Sequence, residues 1–316
     1  MGLRFTNLVS YALLKDKAML CTHPEWDTML DSGGFTNFVT GKVHSEIKEY
    51  IYFLRTHGHH FWNYFALDKI GNPKVSEQYY KQMVDKGLSP IPIFQRGGGT
   101  KQQLMDLLKA YEIVAIGGIS QALSAKVEQQ YISNVMSVAR RVPKQKVHLL
   151  GVGVREARRY NPYSADSSTW ASHGRYGILY LWHRGKIQIY QKHQRGQKSK
   201  NYVKPNPNMT RVLYSYGLTW DHLMDEDNWR SNHSKLALAV GRSWLRQCFA
   251  LRKKGCRYVL AHVLPTGATL KAAWEYERRM WGWEPRTRFF PVQTDLANER
   301  AKERAKKKKE AKKQNK

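Results

Sequence analysis

Cysteine is nearly absent: Cys21, Cys248 and Cys256 are the only three in 316 residues. They are too few and too scattered for a disulfide framework or a Cys-x-x-Cys zinc ribbon, and they fit a reducing compartment. Acidic residues are scarce as well. The chain has 25 Asp+Glu against 53 Lys+Arg, a formal charge of +28 and a pI near 10.0, so acidic partners come first. No apolar run is long enough to span a bilayer, and mean hydropathy is -0.63, which argues against a membrane protein. The apolar patch Leu8 to Leu14 is followed directly by Lys15, Asp16 and Lys17, with no small-residue cleavage site. This predicts a cytoplasmic protein. Hydrophobic residues at 41%, with aromatics at 12%, are enough to build a sizeable core and exclude general disorder.

The positive charge is unevenly spread. Residues 301–316 hold nine Lys/Arg and two Glu, and the run Lys306 to Lys309 offers no apolar face, so 296–316 reads as a basic disordered or fraying tail. A second stretch, Arg184 to Arg211, has eight Lys/Arg and no acid, interleaved with Tyr190, His193 and Tyr202. It reads as a basic insertion suited to nucleic acid.

Between residues 27 and 166, short apolar runs, Gly- or Asp-bearing turns and helix-periodic polar stretches alternate, which is βα repetition. Strands are predicted at Thr28–Leu30, Trp62–Leu67, Pro90–Phe94, Ile113–Ile116, Val147–Val152 and Tyr160–Ala165, with a further one within Leu3–Tyr11. Helices are predicted around Ser45–Thr56 and Ser76–Lys86, each with Ser as N-cap, and around Lys101–Tyr111 and Ser124–Arg140. Gly177–His183 and Lys186–Tyr190 flank Arg184-Gly185 as a hairpin. Lys235–Lys253 reads as a helix, Arg257–Val263 as a strand and Ala272–Trp281 as a helix. The expected architecture is a TIM-like (β/α)8 barrel with an inserted or appended basic subdomain and a flexible C-terminal tail, an open doubly wound sheet being the alternative. Its main part would occupy 1–183, the basic insertion 184–211, and barrel completion with accessory elements 212–295.

Chemistry-bearing residues gather at the predicted strand ends, where such barrels build their active sites. Asp31-Ser32-Gly33-Gly34-Phe35 puts a carboxylate beside a tight glycine turn; Asp68, Gln95, Gly117-Gly118, Gly151-Val152-Gly153 and Asp166 follow at later strands.

The order of these motifs resembles the tRNA-guanine transglycosylase superfamily, especially its DNA-acting branch, the DNA-guanine transglycosylases of phages and bacteria that insert 7-deazaguanines. The resemblance runs from Asp31 to about Trp170. Asp31-Ser32-Gly33-Gly34-Phe35 matches the family's Asp-Ser-Gly-Gly-Phe signature, and Phe65-Ala66-Leu67-Asp68 is similar to the strand whose Asp hydrogen-bonds the purine. Gln95 stands in the place of the base-reading Gln. Ala115-Ile116-Gly117-Gly118-Ile119 resembles the Gly-Gly-Leu segment that contacts the base, and His148-Leu149-Leu150-Gly151-Val152-Gly153 the Leu-Met-Gly-Val-Gly strand. Asp166 falls where the nucleophile is expected. Thr36 and Asn37 depart from the tRNA enzymes, and so does the sequence around Asp166. The Cys-x-Cys-x-x-Cys plus His zinc site of those enzymes has no counterpart here, which favours DNA.

The resemblance implies a glycosyltransferase that exchanges guanine in DNA for a free 7-deazaguanine base, such as the 7-cyano or 7-aminomethyl form, with no cofactor and no metal. Asp166 and Asp31 would be catalytic, and Ser32, Asp68, Gln95, Gly117, Gly118, Ile119 and Gly151 would bind the base. Phe35 or Tyr163 could stack on it. Arg155, Arg158, Arg159, Arg175, Lys192, Arg195, Lys198 and Lys200 are the expected nucleic-acid contacts, and base flipping is required in duplex DNA. The alternatives are a tRNA-guanine transglycosylase and a catalytically silent nucleic-acid-binding barrel. His57, His59 and His60 read as a polar loop, Cys248, Cys256 and His262 as incidental neighbours, and Trp274 as core.

Overall fold

The computed structural model describes residues 4–119, 124–171, 177–191, 207–231, 234–262 and 264–281. Eight strands form one parallel sheet: β1 (Phe5–Ser10), β2 (Trp26–Asp31), β3 (Asn63–Tyr64), β4 (Ile93–Gln95), β5 (Ile113–Gly117), β6 (Lys146–Leu149), β7 (Ser164–Ser167) and, after a separate antiparallel hairpin of β8 (Ile178–His183) and β9 (Lys186–Gln191), β10 (Arg257–His262). Their spatial order is β3-β2-β1-β10-β7-β6-β5-β4. The sheet curls, and a parallel bridge from Phe65 to Ile91 links the segment after β3 to the one before β4. Two hydrogen bonds support it, Ile91 N to Tyr64 O at 2.8 Å and Ala66 N to Ile91 O at 2.9 Å.

The strands are largely buried on both faces because each face is covered. Leu8, Met29, Phe65, Ile91, Ala115 and Val259 form a small core on the concave side. Their sequence neighbours point the other way: Val9 and Leu30 pack into one outer core, and Ile116, Leu149, Ala165, Tyr258 and Leu260 into a larger one. Twelve helices lie among the described residues. Those after the first six sheet strands are α1 (Tyr11–Leu14), α2 (Gly34–Thr40), α3 (Ile47–His57), α4 (Pro73–Asp85), α5 (Lys101–Ala110), α6 (Ala125–Ala139) and α7 (Val154–Tyr160). Then come α8 (Pro207–Tyr214), α9 (Trp220–Met224), α10 (Glu226–Arg230), α11 (Lys235–Arg252) and α12 (Leu264–Trp281). None is long and apolar enough to cross a membrane.

The described residues between β7 and β10 are packed into the body of the protein. Leu179 and Leu181 of β8, Tyr190 of β9, Val212 and Leu213 of α8 and Trp229 of α10 share the larger core with α11. Buried Glu277 of α12 fastens this region by accepting from Arg242 at 2.7 Å and from Arg246 at 2.8 Å, while Arg242 also donates to Tyr216 O at 3.1 Å. Trp274 is core, stacked 5.9 Å from Phe5 with its indole N–H on Glu25.

Several expected boundaries shift. Tyr160–Ala165 does not form one strand: Tyr160 ends α7, Asn161 turns with φ 46°, and β7 begins at Ser164, so Asp166 lies within the strand. Trp62–Leu67 shrinks to two paired residues plus the Phe65 bridge, and Pro90–Phe94 becomes the Ile91 end of that bridge followed by a strand that begins at Ile93. The expected Ser caps are not used. Glu46 precedes α3 without a side-chain cap, while Asn72 caps α4 through Val75 N with Pro73 behind it. Ser45 instead donates to Ser32 O at 2.7 Å. Residues 192–206 of the expected basic insertion and the tail 296–316 lie outside the described residues.

Candidate active site

Strand alternation aims the site. On β2, Met29 faces the concave core and Leu30 faces out, so Asp31 points to the concave side at the C-terminal end. The same two-residue rhythm directs Gln95 past Phe94, Gly117 past Ile116, and His148 and Asp166 past Leu149 and Ala165. Register then sets neighbours side by side: Ser10 with Asp31, Gln95 with Gly117, and Asp166 with Val259.

Three carboxyl groups converge there. Packing around Asp31 strips water from it, and the charges of Asp68 and Asp166 add to the effect, pushing its pKa up to about 7. The Gly33 N–H, 3.0 Å from Oδ2, and the Ser10 hydroxyl pull the other way but do not prevail. Asp68 is 7% exposed, and burial raises its pKa to about 6 against the opposing bond from the Gln95 amide. Asp166 is held differently. Its Oδ1 accepts from Gly151 N at 3.0 Å and lies 3.2 Å from His148 Nε2. His148 is fully buried, with Nδ1 2.8 Å from Ser164 Oγ. The Nε2–H tautomer satisfies both contacts, because the ring then donates to Asp166 and accepts from the Ser164 hydroxyl.

Two glycine pairs make this approach possible. A Cβ on Gly34 would lie 2.8 Å from the Asp68 carbonyl oxygen and collide with its carboxylate, and Gly33 has φ 88° against Ala12. Across the site, a Cβ on Gly117 would lie 2.6 Å from both polar atoms of the Gln95 side chain, and Gly118 has φ 74°. The Gln95 amide nitrogen therefore reaches Asp68 Oδ2, leaving its buried Oε1 with no hydrogen-bond partner. The buried Ser32 hydroxyl is likewise without one. Both atoms can meet a polar ligand.

The expected residues divide as follows. Asp31, Ser32, Asp68, Gln95, Gly117, Gly118 and Asp166 cluster around the C-terminal strand ends. Gly151 is beside them, but its amide is engaged by Asp166, so it serves that carboxylate. The Ile119 side chain is sealed in the larger core. Tyr163 lies at the opposite end of β7, where Lys146 sits 5.1 Å over its ring, so it cannot stack on a base bound near Asp166. Phe35 stands 49% exposed at the start of α2. Arg155, Arg158 and Arg159 line an open groove with Gly185, Lys186 and Ile187 on the outer side of α7. Arg158 donates to Gly185 O at 3.3 Å and Arg159 to Gln129 Oε1 at 2.9 Å. Arg175, Lys192, Arg195, Lys198 and Lys200 lie outside the described residues.

Sequence reasoning missed His148 as a partner of Asp166, although a histidine amid the apolar residues of β6 is itself a signal. Among the described residues no three His, Cys, Asp or Glu are grouped to hold a metal ion. Burial raises the thiols of Cys21 and Cys256, to about 11 and about 12, and His262 contacts Asn7 Nδ2 at 2.8 Å. Neither a family model nor a characterised protein matches this chain.

Proposed function

We propose that this protein is a DNA-guanine transglycosylase on a (β/α)8 barrel, exchanging guanine in DNA for a free 7-deazaguanine base. The barrel reading is supported by the Phe65–Ile91 bridge between the sheet edges and by a concave core drawn from six strands or their ends. One observation carries the function: an oriented carboxylate, Asp166, lies near enough to Asp31 at the strand ends to help raise its pKa, and the resulting value of about 7 suits a proton donor and acceptor at neutral pH.

In this reaction the free Oδ2 of Asp166 attacks C1′ of the deoxyguanosine, and the C1′–N9 bond breaks. Guanine leaves with the electron pair of that bond and takes the proton of Asp31. The incoming base returns a proton from its own ring nitrogen to Asp31, and that nitrogen attacks C1′ and expels Asp166. Two inversions retain the β-linkage, as in retaining glycosidases, and no outside energy source is needed. Asp68 and Gln95 Oε1 provide acceptors for the N1–H and amino donors of guanine. Adenine, which lacks an N1–H, would leave them unpaired.

The net charge of +28 supports a polyanionic substrate. The test supplies a 7-deazaguanine base with duplex DNA, single-stranded DNA and tRNA in parallel, followed by mass spectrometry of the digested nucleosides. Modified deoxyguanosine is expected. Product in tRNA alone would transfer the reading to RNA, and no product in any arm would refute base exchange.

A further inference from the structure

Directly after Asp31 the chain leaves the sheet as a finger, α2 and its return loop to His44, whose surface is unusual. Phe38, Val39 and Val43 are 52%, 63% and 71% exposed, and Leu13 on the adjoining α1 is 56% exposed. Within the finger helix only Gly34 is buried. A seven-residue helix that turns three apolar side chains, Phe35, Phe38 and Val39, to water gains little from them in folding, so they are available to a partner.

The finger is nonetheless fixed in place. Asn37 Oδ1 accepts from His44 N at 2.7 Å and from Ser45 N at 3.2 Å, and its Nδ2 donates to Ser45 O at 3.2 Å. Ser45 Oγ then donates to Ser32 O beside the catalytic pocket. Gly33 seats the root of the finger on Ala12 of α1. Its tip therefore keeps a set position relative to Asp31.

We propose that this finger is a wedge that enters the base stack of duplex DNA next to the target guanine, with Phe38, Val39 and Val43 covering the bases left exposed when that guanine leaves. This rests on the reading of the pocket as a base-exchange site. Charge selects the partner. From Ser32 to Ser45 the chain carries Lys42 and no acid, on a protein of +28, so a polyanion is attracted and a second copy of the chain repelled. Apolar side chains inserted between base steps are a general means of opening a duplex, and a base must leave the stack before Asp31 and Asp166 can reach its glycosidic bond.

The test uses the full chain and two variants, Phe38→Ser and Val39→Ser with Val43→Ser, checked for unchanged melting. Binding is followed with DNA carrying the fluorescent base 2-aminopurine beside a guanine, as duplex and as single strand. The duplex unstacking signal is expected to fall at least about fivefold in the variants while single-strand affinity changes less than about twofold. Duplex base exchange should fall with the signal. An unchanged unstacking signal, or equal losses on both substrates, would overturn the wedge. A variant that instead converts a dimer to a monomer in sedimentation would also overturn it, identifying the face as a self-association surface. The fluorescence does not require turnover, so failure of base exchange and failure of the wedge are separable.

Discussion

His148 Nε2 lies 3.2 Å from Asp166 Oδ1, and with the Gly151 amide it binds one oxygen of that carboxylate. The other oxygen is left to act. His148 is thus a positioning residue, joined to Asp166 across the β6–β7 pair although 18 residues separate them. Replacing it with Phe keeps a planar ring and removes the donor. We expect kcat for base exchange to fall about 10- to 100-fold, since small misplacement of a reacting group costs that much. KM for the free base should not change, and a thermal melt run in parallel separates this from a folding defect.

In the proposed reaction Asp31 and Asp68 set a pH window. Asp31 must be protonated to release guanine, so the exchange rate should decline as pH rises through about 7. Asp68 should be ionised to accept from the base, so KM should rise as pH falls through about 6. Asp31→Asn is expected to lower kcat on the order of 10²- to 10⁴-fold and to abolish the upper limb. A pH–rate profile of both proteins, with the upper limb surviving in the variant, would exclude Asp31 as the acid.

The same shift costs stability, with a definite sign. Asp31 has a folded pKa above its unfolded value, so the native state holds the extra proton and stability falls as pH rises from about 4 to about 7. Asp31→Asn removes that cost. It should stabilise the protein at pH 8 by on the order of 2–4 kcal/mol, an advantage that vanishes near pH 4. Urea unfolding at both pH values measures it.

Glu277 accepts from Arg242 and Arg246 in the interior between α11 and α12. Glu277→Leu leaves Arg242, itself 4% exposed, as a buried uncompensated charge. A loss of about 3–5 kcal/mol is expected in chemical denaturation. A loss below about 1 kcal/mol would show that water replaces the carboxylate.

None of the three carboxyls lines the groove of Arg155, Arg158 and Arg159, so it should contribute affinity and not chemistry. Changing all three to Gln should weaken DNA binding and flatten the log–log salt dependence, by about 0.9 for each duplex phosphate that is no longer neutralised. Single-turnover exchange at saturating DNA should be retained. An unaltered salt slope would exclude the groove from the DNA path.

Much of the site can be read in the chain because it depends on local rules. An apolar run followed by Asp-Ser-Gly-Gly has to end a strand and turn, and that puts Asp31 at a strand end; Gln95 and Gly117-Gly118 obey the same logic. Alternation along each strand then decides which of these residues face inward. The charge balance likewise follows from composition alone.

Tertiary structure decided the rest, because the remaining relationships join distant segments. That β10 lies between β1 and β7, after a long excursion that holds β8, β9 and four helices among the described residues, reflects which edges remained to be paired and covered. The pKa of Asp31 arises from dehydration and from two carboxylates on distant segments of the chain, and no spacing along the chain encodes it. Tyr163 and Asp166 are three residues apart, yet β7 carries them to opposite ends of the sheet. Sequence named the candidate carboxyl groups; the packing of parallel strands brought them together and raised the pKa values of Asp31 and Asp68.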